Sequence, residues 1–156
     1  MLNGIPTLLT GALLAQLDAM GHSDSVVVAD AHFPAVRVGG TVVELPGVTA
    51  PQAVRAICAV LPLDDSPTLD LMQSADGTRL TVQHELVDAA GLTAARPVGA
   101  APDADGEPPV VRELDRFDFY ELARTASLIV RTGERRAYGN AILRKGLATP
   151  DERWRG

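Results

Sequence analysis

The run Ser25-Val26-Val27-Val28-Ala29 constrains this chain more than any other segment. Three consecutive β-branched residues disfavour helix and leave no polar face, so the run reads as a strand buried on both sides. A strand covered on both faces needs helices above and below its sheet, which defines an α/β architecture. Ionisable residues crowd both ends of the run: Gly21-His22-Ser23-Asp24 before it, Asp30-Ala31-His32-Phe33-Pro34 after it. Groups held just beyond the ends of a rigid element are well placed to act on a ligand.

The remaining segments repeat the pattern. Thr10 is placed to cap a helix over Ala12–Met20, with Leu13, Leu14 and Leu17 as its apolar stripe and Gly21 as its stop. A loop over His32–Gly40 leads to a strand at Thr41–Leu45, which ends at Pro46-Gly47. Thr49 caps a helix over Pro51–Leu61, with proline in the first turn. A strand at Leu69–Met72 and a helix over Thr81–Ala90 follow, the latter stopped by Gly91. Residues 94–109 have the Ala/Pro/Gly/Asp composition of an exposed loop. A strand at Val110–Arg112, a helix from Arg116 to about Ala126 capped by Asp115, and strands at Leu128–Arg131 and Ala141–Leu143 complete the chain. The expected fold is one α/β domain over residues 1–149, a mostly parallel central sheet flanked by helices, with 150–156 as a polar tail that leaves Trp154 exposed.

Composition narrows the function. Aromatic residues make up 4% of the chain and the net charge is −6, so base stacking and attraction to a phosphate backbone are both lacking and nucleic acid is not an expected partner. No apolar run reaches the length of a membrane span, and Met1-Leu2-Asn3-Gly4-Ile5 lacks the basic start of a signal peptide, which points to a cytoplasmic protein. Cys58 is the one cysteine and sits in an apolar helical pattern, as a small buried hydrophobe does. Glycine-rich nucleotide motifs and the G-x-S-x-G elbow are missing. The spacing of His22, Asp24, Asp30 and His32 does not match a zinc signature, and no metal is expected.

Three segments carry groups able to do chemistry. His22 is either a helix-terminal imidazole answering the dipole there or an acid–base group, since imidazole exchanges protons near neutrality. Asp30 lies at the carboxyl end of a parallel strand, where open α/β sheets hold ligands. Arg116 and Tyr120, four apart on a helix, share a face; exposed they are surface decoration, whereas facing a cleft they offer a guanidinium fork and a phenol to sugar hydroxyls, and at least one of Phe117 and Phe119 belongs to the core. In Gly133-Glu134-Arg135-Arg136-Ala137-Tyr138-Gly139-Asn140 the glycines allow close backbone approach, and Tyr138 and Asn140 add a hydroxyl and an amide; the bland alternative is a turn before an edge strand.

Together these segments resemble the ribose pyranase / L-fucose mutarotase family, and its fucose branch in particular. The resemblance rests on Met20 to Asp24, Ser25 to Pro34, Arg116-Phe117-Asp118-Phe119-Tyr120-Glu121, Thr132 to Asn140 and Ile142-Leu143-Arg144-Lys145-Gly146, in order over residues 20–146. It implies an isomerase that exchanges the α and β anomers of a reducing monosaccharide, most naturally L-fucose, without a cofactor. It implies His22 as proton donor, Asp30, Arg116, Tyr138, Gly139 and Asn140 as sugar-binding positions, and Tyr120 as a tyrosine at the site. Asp64 falls where fucose-type members carry an Asp, a small residue and an aromatic; here Asp65-Ser66-Pro67 follows instead. The other reading is a sugar-binding or regulatory protein of the same fold without turnover.

Spacing adds one constraint. His22 and Asp30 bracket a strand, and an extended chain of eight residues spans up to about 26 Å, far more than a monosaccharide. Either the chain bends sharply between them or His22 serves a sugar held by a neighbouring subunit. The second alternative is the expected one, and the ring-like, commonly decameric assemblies of the family agree with it.

Overall fold

The computed structural model describes residues 2–64, 68–92, 96–97 and 110–148. Five helices and seven strands alternate along it: α1 Gly11–Ala19, β1 Ser25–Ala29, α2 Ala35–Val38, β2 Thr41–Leu45, α3 Ala50–Cys58, β3 Leu69–Met72, α4 Thr81–Ala89, β4 Arg96–Pro97, β5 Val110–Leu114, α5 Arg116–Ala123, β6 Leu128–Thr132 and β7 Ala141–Arg144. The expected caps form. Thr10 Oγ1 accepts from Leu13 N at 3.2 Å, Thr49 and Gln52 make a reciprocal capping box, and Asp115 Oδ1 accepts from the amides of Phe117 and Asp118.

The strands form one sheet in the order β2-β6-β1-β7-β3-β5-β4. Every neighbouring pair is parallel except those of β7, which runs antiparallel to β1 and β3. β7 therefore sits at the centre of the sheet, which excludes the edge-strand alternative for the segment before it. Val26, Val27 and Val28 are fully buried, as their β-branched run demands. Val26 and Val28 join Leu128, Val130, Leu69, Leu71 and Leu143 beneath α1, α3 and α4. Val27 joins Ile129, Ile142 and Met72 beneath α2 and α5, with Phe33 and Phe119. Each such side chain contributes about 1.5–3 kcal/mol by leaving water, and the alternating faces make a three-layer α/β domain.

Three expectations need correction. The segment His32–Gly40 is not all loop: α2 occupies its middle, because Pro34 suits the start of a helix and Ala35 and Val38 bury against Phe33 and its neighbours. α5 stops at Ala123, short of Ala126, where Thr125 Oγ1 donates to the Leu122 carbonyl at 2.7 Å. Within 94–109, Arg96–Pro97 pairs in parallel with Val110 and Val111 as an edge strand, a place where proline's missing N–H is tolerated. The rest of 94–109, residues 65–67 and the tail with Trp154 lie outside the described residues. Cys58 is half-buried against the core, and burial pushes its thiol up to about 12, so it is no thiolate nucleophile.

Candidate active site

Because β1, β3, β5 and β6 all point the same way, their carboxyl ends meet along one edge of the sheet. Asp30 follows β1 there and is 3% exposed. Antiparallel pairing of Val28 with Ala141 brings Asn140, just before β7, beside it. The Asp30 amide donates to Asn140 Oδ1 at 2.9 Å, and Asn140 Nδ2 donates to Asp30 Oδ2 at 2.8 Å. The His32 amide donates to Asp30 Oδ1 at 2.9 Å. Burial holds the Asp30 carboxyl above the usual carboxylate range, and the hydrogen bonds from the His32 amide and Asn140 offset part of that rise.

Two loops close over this pair and lock together. Ala31 N donates to Glu134 O at 2.8 Å, Thr132 Oγ1 donates to Ala29 O at 2.8 Å, and His32 Nε2 lies 3.2 Å from Arg135 O. Glu134 is buried, and the Arg136 guanidinium beside it holds its carboxyl below the usual glutamate range. Arg136 also grips Glu85 of α4 at 2.8 and 2.9 Å, tying the 133–140 loop to that helix. Tyr138 adopts the left-handed region at φ 63°, an uncommon and costly conformation for a bulky residue. From the other side α5 delivers Arg116 and Tyr120, one turn apart, with the Tyr120 ring edge-on to Phe33 at 5.6 Å.

The result is a recess of about 250 Å³ lined by Asp30, His32, Phe33, Met72, Arg116, Tyr120, Ala137, Tyr138 and Asn140. Five of the expected sugar-binding positions, Asp30, Arg116, Tyr120, Tyr138 and Asn140, line it together. Gly139 does not. A Cβ there would lie 2.9 Å from Glu134 Cγ and 3.3 Å from Val82 Cγ2, so the glycine lets the loop pack inward on α4. His32 and Met72 are lining residues that sequence reasoning did not assign. For Met72 the available signal was its place at the carboxyl end of a strand. Of the two phenylalanines, Phe119 is core and Phe117 is exposed beside a second, adjoining recess.

His22 lies elsewhere. The ladder between β1 and β7 runs on past the strand ends, with Ser23 N donating to Lys145 O and Lys145 N to Asp24 O, each at 2.8 Å. The chain turns at Gly21–Asp24, where Asp24 N donates to Gly21 O at 3.2 Å, but from Asp24 to Asp30 it runs on as regular strand, so no bend brings His22 back to Asp30. His22 sits at the amino-end edge of the sheet, half exposed, with Nε2 3.6 Å from Asp64 Oδ2. One chain presents a polar recess at one edge and an imidazole at the opposite edge.

A buried carboxylate, a fixed amide, two phenols and a guanidinium thus converge at the carboxyl ends of parallel strands in an α/β protein, donors and acceptors of the kind that pair with hydroxyl groups. The chain belongs to the RbsD / FucU transport protein family, which matches residues 3–148. It is 35% identical to a fucose mutarotase of Danio rerio over a 164-residue alignment covering 97% of each chain. Among solved structures it is similar to FucU from Bifidobacterium longum (30% identity, TM-score 0.78, covering 94% of this chain and 100% of that one). It is also similar to the fucose mutarotase from Streptococcus pneumoniae in complex with L-fucose (29% identity, TM-score 0.78, 95% and 100%).

Proposed function

We propose that this protein is a mutarotase that exchanges the α and β anomers of L-fucose, with the recess around Asp30 as its sugar site. The observation that carries the reading is the convergence of Asp30, Arg116, Tyr120, Tyr138 and Asn140 on one hexose-sized recess. Relatives named for fucose mutarotation support it. In ring opening, a proton passes to the ring oxygen as its bond to the anomeric carbon breaks. A second proton leaves the anomeric hydroxyl, whose oxygen becomes the aldehyde carbonyl. Rotation about the C1–C2 bond and the reverse transfers close the other anomer. Asp30 is the base, since a carboxylate destabilised by burial takes a proton more readily. Arg116 and Tyr120 hold the hydroxyls, and Tyr138 with Asn140 fixes the anomeric end.

His22 of a neighbouring copy is the acid. The opposite placement of imidazole and recess makes this contact head-to-tail, and a head-to-tail contact that closes gives a ring. The same placement favours one rival reading, in which an isolated chain binds sugar without turning it over. Saturation-transfer NMR on L-fucose, galactose and ribose at fixed pH separates the two. Anomer exchange faster than in buffer, strongest for L-fucose and abolished by His22→Ala, supports the mutarotase. Binding without exchange supports the rival.

A further inference from the structure

We propose that Asp64 is the positioning residue of His22: its carboxylate fixes the hydrogen on Nε2 and leaves Nδ1 as the nitrogen that exchanges protons with the sugar. The inference rests on the mutarotase reading for its kinetic consequence, and on geometry alone for the orientation of the ring.

Residues 22 and 64 meet because the end of β7 passes between their two segments and pairs with both. On one side Ser23 N donates to Lys145 O and Lys145 N to Asp24 O. On the other, Asp64 N donates to Arg144 O at 3.0 Å, Gly146 N donates to Pro62 O at 2.8 Å, and Leu63 bridges Lys145. A Cβ on Gly146 would fall 2.4 Å from Leu63 O, so only glycine lets the segments approach this closely. The Lys145 ammonium donates to the carbonyls of Leu17, Asp18 and Met20, pinning the end of α1 from which the His22 loop departs.

That scaffold is all backbone and lysine. Asp64's side chain reaches the loop itself. Its Oδ2 accepts from Ser23 Oγ at 3.2 Å and faces His22 Nε2 at 3.6 Å. Ser23 is one of two described non-glycine residues in the left-handed region, at φ 66°, and the other is Tyr138 of the recess. A carboxylate accepts hydrogen bonds only, so it favours the ring form carrying hydrogen on the facing nitrogen, and the second nitrogen keeps the lone pair when the ring is neutral. During ring opening the proton on Nδ1 of the imidazolium passes to the sugar's ring oxygen, and reclosure returns it.

The test uses the full-length protein, with Asp64→Asn and Asp64→Glu compared to wild type. Because backbone pairing joins the segments, Asp64→Asn is expected to fold with an unchanged melting temperature. Long-range ¹⁵N–¹H spectra of the His22 ring are expected to show the Nε2–H tautomer in wild type and a mixture in Asp64→Asn. In the L-fucose exchange assay kcat is expected to fall by about ten- to a hundredfold in Asp64→Asn, part of the 10²–10⁴ that acid–base assistance supplies. KM should stay within about twofold, and Asp64→Glu should recover part of the rate. A raised KM with kcat kept would make Asp64 a sugar ligand and overturn the proposal, as would a predominant Nδ1–H tautomer in wild type. Wild type that shows no exchange sinks the mutarotase reading, while the nitrogen spectra still decide whether Asp64 holds the ring.

Discussion

Asp30 is the residue on which the proposed chemistry is most exposed to test. Its burial raises its proton affinity, and a base works only when unprotonated, so activity should fall as pH drops through a value above the usual carboxylate range. Asp30→Asn should lose that acidic limb and reduce L-fucose exchange by about 10²–10⁴-fold, measured by NMR across pH. Tyr138 tests binding separately. Asparagine tolerates the left-handed backbone that Tyr138 adopts, so Tyr138→Asn should keep its melting temperature within about 3 °C. The phenol's hydrogen bond goes with it, and sugar affinity should weaken about tenfold in an NMR titration. The sequence made both residues legible as polar groups at element ends. It did not reveal that the unusual backbone angle falls on Tyr138 rather than on Gly139, because the packing of Gly139 against Glu134 and Val82 depends on contacts distant in sequence.

At the scale of elements, β1, β2 and β3 begin and end at the residues expected from sequence, since Pro46-Gly47, Asp30 and the polar residues after Met72 stop them sharply. α2 was hidden because four residues are too few to display a helical period. The central place of β7 was hidden because an apolar tetrapeptide carries no record of its neighbours. The loop that links β6 to β7 is held by the contacts of Arg136 with Glu134 and Glu85, and this tie is open to test. Arg136→Met should strand a buried carboxylate and cost about 2 kcal/mol, read as a lower melting temperature at neutral pH. Arg136 depresses the Glu134 pKa, so its contribution is present above the usual glutamate value and is lost as pH falls through and below it. The gap between wild type and variant should therefore narrow in acid.

For the whole molecule, the decisive fact is that imidazole and recess occupy opposite edges of one sheet. Their separation along the chain was legible from the β-branched run; that the run is straight needed the ladder to β7. Mixing His22→Ala with Asp30→Ala chains under subunit-exchange conditions should restore activity that neither has alone. Random one-to-one mixing leaves about a quarter of the sites with both groups intact, so recovery near that fraction is expected. No recovery at any ratio, with exchange verified, would rule out sharing. The arrangement also bears on yield. Were the site shared as proposed, an open stack would waste one recess at its first member and one imidazole at its last, so its working centres would number one fewer than its chains. Only closure would give every copy both a lender and a borrower, which would tie full output per molecule to the geometry of the circle and make it sensitive to dilution.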